Sequence, residues 1–178
     1  MNNTNSLKFK NISKNTTKLM QTILNNQNFL RYIYYLDKHN PLDEKLPDVN
    51  PMEVRENNLT LALFNSEILE ETKTHIFFYP LNGTFNSNDV VAEDAYALDI
   101  LIPYDYWIID GTGELRAFAM ADEIANVIDQ KRVSGIGSVR IVSWNTYRIT
   151  NRFVFLGLSL IIKVKNPSIT ELRSNGNR

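Results

Sequence analysis

The strongest constraint on the fold lies near the end of the chain, where Ser138 to Ile149 and Arg152 to Val164 read as two long strands joined by a short "TN" turn. In the second, every even position from Val154 to Val164 is apolar, whereas the odd positions include Gly157, Ser159 and Lys163. Successive side chains of a strand point to opposite sides, so this spacing describes a ribbon with one apolar face. That even face is predicted to be core, packed against a helix that bears Ile124 and Ile128.

Other segments supply the remaining layers. Tyr96, Leu98, Ile100 and Ile102 alternate with Ala97, Asp99 and Leu101, and His75 to Leu81 reads as a further strand. Between Thr17 and Leu36 the residues Leu19, Met20, Ile23, Leu24, Leu30, Ile33 and Tyr34 recur at helical spacing, with "NNQN" as a potential break. A second helical stripe comprises Phe118, Ala121, Ile124, Ala125 and Ile128, with Glu114, Asp122 and Glu123 on the solvated side. Pro41, Pro47 and Pro51 favour an extended connector. The order helix, strand, strand, helix, strand, strand predicts an α+β fold in which a small, mostly antiparallel sheet packs against helices. The chain divides into a flexible arm (1–16), an N-terminal helical segment with its connector (17–58), an α+β domain (59–165) and a polar tail (166–178). The stretch from Asn82 to Ala95 reads as a polar loop.

Composition removes several kinds of chemistry. There is no cysteine, so disulfides, thiolate metal sites and cysteine nucleophiles are absent. The two histidines, His39 and His75, share no ligand spacing. A formal net charge of −1 argues against a dedicated polyanion binder. The longest apolar run, Phe153 to Ile162, is too short to span a bilayer as a helix, so no membrane partner is expected.

Gly111-Thr-Gly113 lies between a strand and a helix, the place of a phosphate-binding loop. A dinucleotide fingerprint would need a third glycine where Arg116 stands, and a phosphate loop would need a Gly-Lys-Ser/Thr ending. The glycines are therefore read as a turn, with no nucleotide cofactor. Asp89, Glu93 and Asp94 form one acidic cluster and Asp105 with Asp110 another, both read as solvated loop acids. "SGIGS" has no nucleophile elbow, so no enzymatic reaction is expected. From Lys131 to Lys165 seven bases occur with no acid, and Trp144 and Tyr147 lie among them. Such a set can bind single-stranded nucleic acid, although in strands aromatic residues also serve as packing on the sheet face.

Residues 75–165 resemble the tail terminators, or tail completion proteins, of the tailed-phage neck. The resemblance rests on "YALDILIPYDYWIID", "RAFAMADEIANVID" and "GSVRIVSWNTYRITNRFVFLGLSLIIKV", with "NFLRYIYYLDKHNPLDE" similar to an N-terminal segment of phage neck genes. It implies a terminator-like fold with an N-terminal helical extension, and no catalytic residues, metal or cofactor. It implies a structural virion protein whose subunits form a ring, expected to be a hexamer, joining the head connector to the tail. Its partners would be copies of itself and the neighbouring head-connector and tail-tube proteins. Genomic DNA would pass through the channel without specific binding. The expected location is the virion neck, after assembly in the host cytoplasm. The longer N-terminal region and the 82–95 loop depart from that family, leaving another adaptor layer of the neck, or a nucleic-acid-binding accessory protein, as alternatives. Ten acids against the single base Arg116 between Asn86 and Asp129, followed by the all-basic stretch, predict head-to-tail assembly through complementary charge. The expected interface residues are Asp89, Glu93, Asp94, Arg140, Arg148 and Arg152.

Overall fold

The computed structural model describes residues 9–63, 65, 69–70, 72–85, 91–150 and 152–165. The fold is α+β. Its helices are α1 (Lys10–Leu24), α2 (Gln27–Tyr34), α3 (Pro51–Asn58) and α4 (Arg116–Ile128). Among the described residues six strands, β1 (Leu59–Thr60), β2 (His75–Phe85), β3 (Val91–Pro103), β4 (Lys131–Val133), β5 (Gly137–Thr150) and β6 (Val154–Lys165), form one sheet in the order β1-β2-β3-β6-β5-β4. Every neighbouring pair is antiparallel except β1 with β2.

The "NNQN" break is real and has a local cause. Asn25 ends α1, and the Asn26 side chain accepts a bond from the Phe29 amide at 3.2 Å, capping the start of α2. The same Asn26 amide donates 2.8 Å to Glu123 on α4, tying the break to the domain beneath it. Helix α1 begins at Lys10, within the 1–16 stretch read as a flexible arm. Asn15 and Thr16 continue the buried face of Leu19, Met20, Ile23 and Leu24. Residues 1–8 and the tail 166–178 lie outside the described residues. The connector also holds an unexpected helix: Asn50 accepts from the Met52 amide at 3.0 Å and Pro51 occupies the first turn, where its missing N–H costs nothing.

One face of the sheet is the principal core. Ile76, Phe78, Tyr96, Leu98, Ile100, Ile102, Leu158, Leu160, Ile162 and Val164 pack there with α1, α2 and α4, so the N-terminal helices share a core with the sheet. The even face of β6 is buried from Leu158 onward, as expected, but Val154 and Leu156 are only half-buried. Helix α4 turns Ala117, Met120, Ile124 and Ile128 inward. Phe118, expected in the core stripe, is half-buried and meets Trp144 edge-on at 5.4 Å.

The opposite face is not simply solvated. Phe77, Leu101 and Phe155 are fully buried there with Leu69, in a second cluster that the odd positions of β3 and β6 did not announce. Gly157 makes room for it: a Cβ at that position would lie 2.5 Å from the Tyr147 ring and 2.9 Å from Leu101. Asp99, also buried, accepts 2.9 Å from the Tyr79 hydroxyl. Burial and that bond push the Tyr79 phenol up to about 12.

His75, at the start of β2, is 5% exposed between Phe77 and Phe155, and its Nε2 accepts from the Glu70 amide at 3.0 Å. Desolvation pushes its pKa below the ordinary value of 6.5. The neutral ring is thus favoured in the folded protein. Its stabilisation is complete above the unfolded pKa and is lost as pH falls through that value toward the folded one. The thermal midpoint should therefore drop between about pH 7 and pH 5, and His75→Gln should flatten that slope; identical slopes in both proteins would remove His75 as its cause.

Candidate functional site

The residues expected at an assembly interface do not form one patch. Asp89 lies outside the described residues. Glu93, on β3, crosses to Lys163 on β6 at 2.7 Å and so is paired within the subunit. Asp94 was read as a solvated loop acid and a docking residue, but it is 1% exposed. Strand β3 starts early enough to carry it beneath α1, where Asn15 and the Tyr96 hydroxyl each donate to its Oδ2 at 3.1 Å. The second carboxylate oxygen has no hydrogen-bond partner among the described residues. Burial, and then the charge of Asp94, raise the Tyr96 phenol far above its usual value. This acid is an internal fastener between α1 and β3 and is not available to a partner.

The basic half is exposed but divided between the two faces of the sheet. Arg140 and Arg148 project from β5, and Arg152 from the turn into β6; all three are exposed. Arg152 lies over the Phe153 ring at 5.4 Å. Among the described residues none of the three forms an ion pair. Register separates their faces. Arg140 stands opposite Lys163, but a bulge between Ile141 and Ser143 shifts the parity, so Trp144 and Arg148 stand opposite Leu160 and Leu156 on the helix-bearing face.

Strand β5 is also an edge. Strand β4 pairs only with Gly137–Val139, and the Ile141 amide donates to the Asp129 carboxylate at 2.7 Å. From Val142 to Thr150 no strand lies outside β5 among the described residues. Beside this edge runs a groove of about 500 Å³ lined by Trp107, Leu115, Phe118, Trp144, Arg148 and Leu156. It continues past Phe118 and Trp144 between Asp122 and Asp129 of the α4 side and Leu158 and Leu160 of β6. Trp144 is 62% exposed, which is unusual for a residue of its size. Tyr104, Ile108 and Leu115 are further exposed apolar residues on the loop before α4, and Asp105, Asp110 and Glu114 on that loop are exposed as well.

Gly111-Thr-Gly113 is a turn. Gly113 takes φ +73°, and the Gly111 amide donates 3.1 Å to the His39 carbonyl. A Cβ on Gly111 would come within 2.3 Å of that oxygen, so the close approach of two loops is what requires glycine there. Arg116, which broke the glycine fingerprint, is 1% exposed, and its guanidinium points back at the end of α2. Nη1 donates to the Tyr32 and Tyr35 carbonyls at 3.2 and 3.4 Å, Nη2 to Leu36 at 3.0 Å, and Nε to Tyr106 at 2.9 Å. Burial lowers its pKa, while Tyr32, Asp110 and Asp37 act in the opposite sense. Sequence spacing carried no sign of this role, because its partners lie 80 to 84 residues away for α2 and its exit.

Among the described residues no helix is long and apolar enough to cross a membrane, and no group of three His, Cys, Asp or Glu residues could hold a metal ion. No curated protein matches the chain. A family model described as YomW matches residues 26–164, more than three quarters of the length. YomW is a phage-derived gene name, and the match marks the chain as phage-associated.

Proposed function

The chain belongs to the YomW family, and on that premise we propose that it is a structural virion protein, a ring-forming subunit of the phage neck that joins head connector to tail. The observation that carries this reading is the set of bases along β5 and its turn, Arg140, Arg148 and Arg152, exposed and free of ion pairs among the described residues, on a chain whose loop before α4 presents Asp105, Asp110 and Glu114. A closed ring needs two different patches that meet head to tail, and opposite fields on one subunit steer that docking. The acidic patch is this loop and Asp122, replacing the Asp89, Glu93 and Asp94 set. Acids turned to a channel would also let DNA slide past without adhering. The likeness of residues 75–165 to tail terminators supports the terminator layer over another adaptor layer. A nucleic-acid-binding role is less well supported, since Asp122 and Asp129 line the groove that Trp144 enters and would repel phosphates.

Gold-labelled antibody on purified virions should mark the neck. The purified protein should show a ring mass at low salt that falls at high salt, and Arg140→Glu with Arg148→Glu should weaken it at least tenfold. A chain absent from virions and monomeric at high concentration would overturn the proposal.

A further inference from the structure

We infer that free subunits pair through the outer edge of β5, joining two sheets antiparallel about a twofold axis at Thr146. The inference stands apart from the neck reading, because a twofold contact uses one patch twice and leaves no free copy of it for a ring.

The two edges of the sheet are treated differently. The β2 edge is partly covered by β1 at Ile76 and Phe77, carries Pro80, and is bent by bulges at Pro80/Asn82 and Thr84/Phe85. Short cover, proline and bulges are ordinary protections against strand addition. The β5 edge has one bulge, at Val142, and then a regular run, Ser143–Thr150, with neither proline nor lysine. Six of those eight residues are exposed and the other two are half-buried. Such a run is a template for another strand, and in a solution of the free protein the strands on offer belong to other copies.

Self-complementarity selects the register. A twofold axis normal to the sheet keeps each side chain on its own face, so only residues of like parity can stand opposite each other. The open edge Val142–Thr150 is centred on Thr146. Centring the axis there sets Trp144 opposite Arg148 of the second copy and Arg148 opposite its Trp144. Both lie on the helix-bearing face, as their shared register with Leu160 and Leu156 requires. Each pairing brings a guanidinium to an exposed indole, a favourable cation–π contact. Thr146 meets its own copy, a cross-strand pair that hydrogen-bonds favourably, while Asn145 meets Tyr147 and Ser143 meets Ile149 without placing like charges opposite each other. No acid and no second arginine fall within the paired run, so the contact has no ion pair for salt to screen. Ring assembly at Arg148 requires the pair to open, so the pair prevails at high salt, where the charge-steered ring comes apart.

The chain has no native cysteine, so single cysteines report the register directly. Sedimentation equilibrium of the full chain should show dimers that persist at high salt. Thr146→Cys should cross-link to dimer on mild oxidation, whereas Ser143→Cys, whose two copies would stand roughly 20 Å apart, should not. Trp144→Arg should weaken association at least tenfold, and combining it with Arg148→Trp should restore it, because the swap rebuilds both cross-strand pairs. Melting curves of each variant separate lost association from lost folding, since Trp144 also touches Phe118. A protein monomeric at every concentration overturns the inference, as does a dimer in which Ser143→Cys cross-links as well as Thr146→Cys. A ring in virions together with a free protein that shows no dimer at high salt overturns it while leaving the neck reading intact; virions without the protein do the reverse.

Discussion

Arg116→Met is expected to destabilise the protein by about 3–5 kcal/mol, read as a large fall in the urea midpoint. The last carbonyls of a helix have no partner within it, and the helix dipole places partial negative charge there. Helix α2 ends at Tyr34, and the buried Arg116 guanidinium meets the Tyr32, Tyr35 and Leu36 carbonyls while its Nε holds Tyr106. Methionine fills similar space but donates nothing, so four carbonyl oxygens lose a charged donor, two of them, those of Tyr32 and Tyr35, in fully buried bonds. Arg116→Lys should recover part of the loss, since one ammonium can serve some of these oxygens but cannot span two chain segments as the planar fork does. A midpoint within experimental error of the parent protein in both variants would show that the carbonyls find other donors.

The second large effect is expected in the sheet. Leu158→Ala and Leu160→Ala should each cost about 2–5 kcal/mol. Leu158 is fully buried, opposite Ile100 on β3 and Thr146 on β5, and Leu160 is 3% exposed opposite Leu98. The two flanking strands, β3 and β5, and α4 fix the surroundings of both residues, so the vacated space cannot close by a local shift. Near-neutral midpoints for both variants would mean that the even face of β6 is not packed against α4.

The alternation that made these leucines legible is a local signal, and local signals account for most of what the sequence disclosed. The β5–β6 ribbon, the break at Asn25-Asn26 and the existence of α4 follow from periods of two or 3.6 residues and from capping chemistry. Helix α4 shows the limit: Phe118 and Met120 both fit an apolar stripe, and a rotation of one residue decides which is core. In the fold Ala117, Met120, Ile124 and Ile128 are buried and Phe118 is left half-buried. Strand β4, with three residues, is too short to show a period. Asn50-Pro51 did carry a signal for α3, a cap followed by a first-turn proline, which the surrounding prolines masked. Asp94 and Arg116 were opaque for another reason. Each is charged and lies in an acid-rich stretch, yet each is buried, because its partners come from helices 79 to 84 residues earlier in the chain. No spacing rule reaches that far. The exposed arginines of the hairpin were easier, since an edge strand shows its polar groups wherever its neighbours are missing.

The bonds from Asn15 to Asp94 and from Arg116 to Leu36 also set a schedule for synthesis. Helices α1 and α2 leave the ribosome first, but the sheet that shelters their apolar faces closes only when β6 arrives between β3 and β5, some 130 residues later. At about 5–20 residues per second, that delay is on the order of ten seconds. Throughout it Leu19, Ile23, Phe29 and Leu30, all fully buried in the finished fold, have no sheet to cover them. The chain's exposure to aggregation is thus governed by elongation speed and by whatever holds the nascent helices, and is settled before the stability of the completed fold has any bearing.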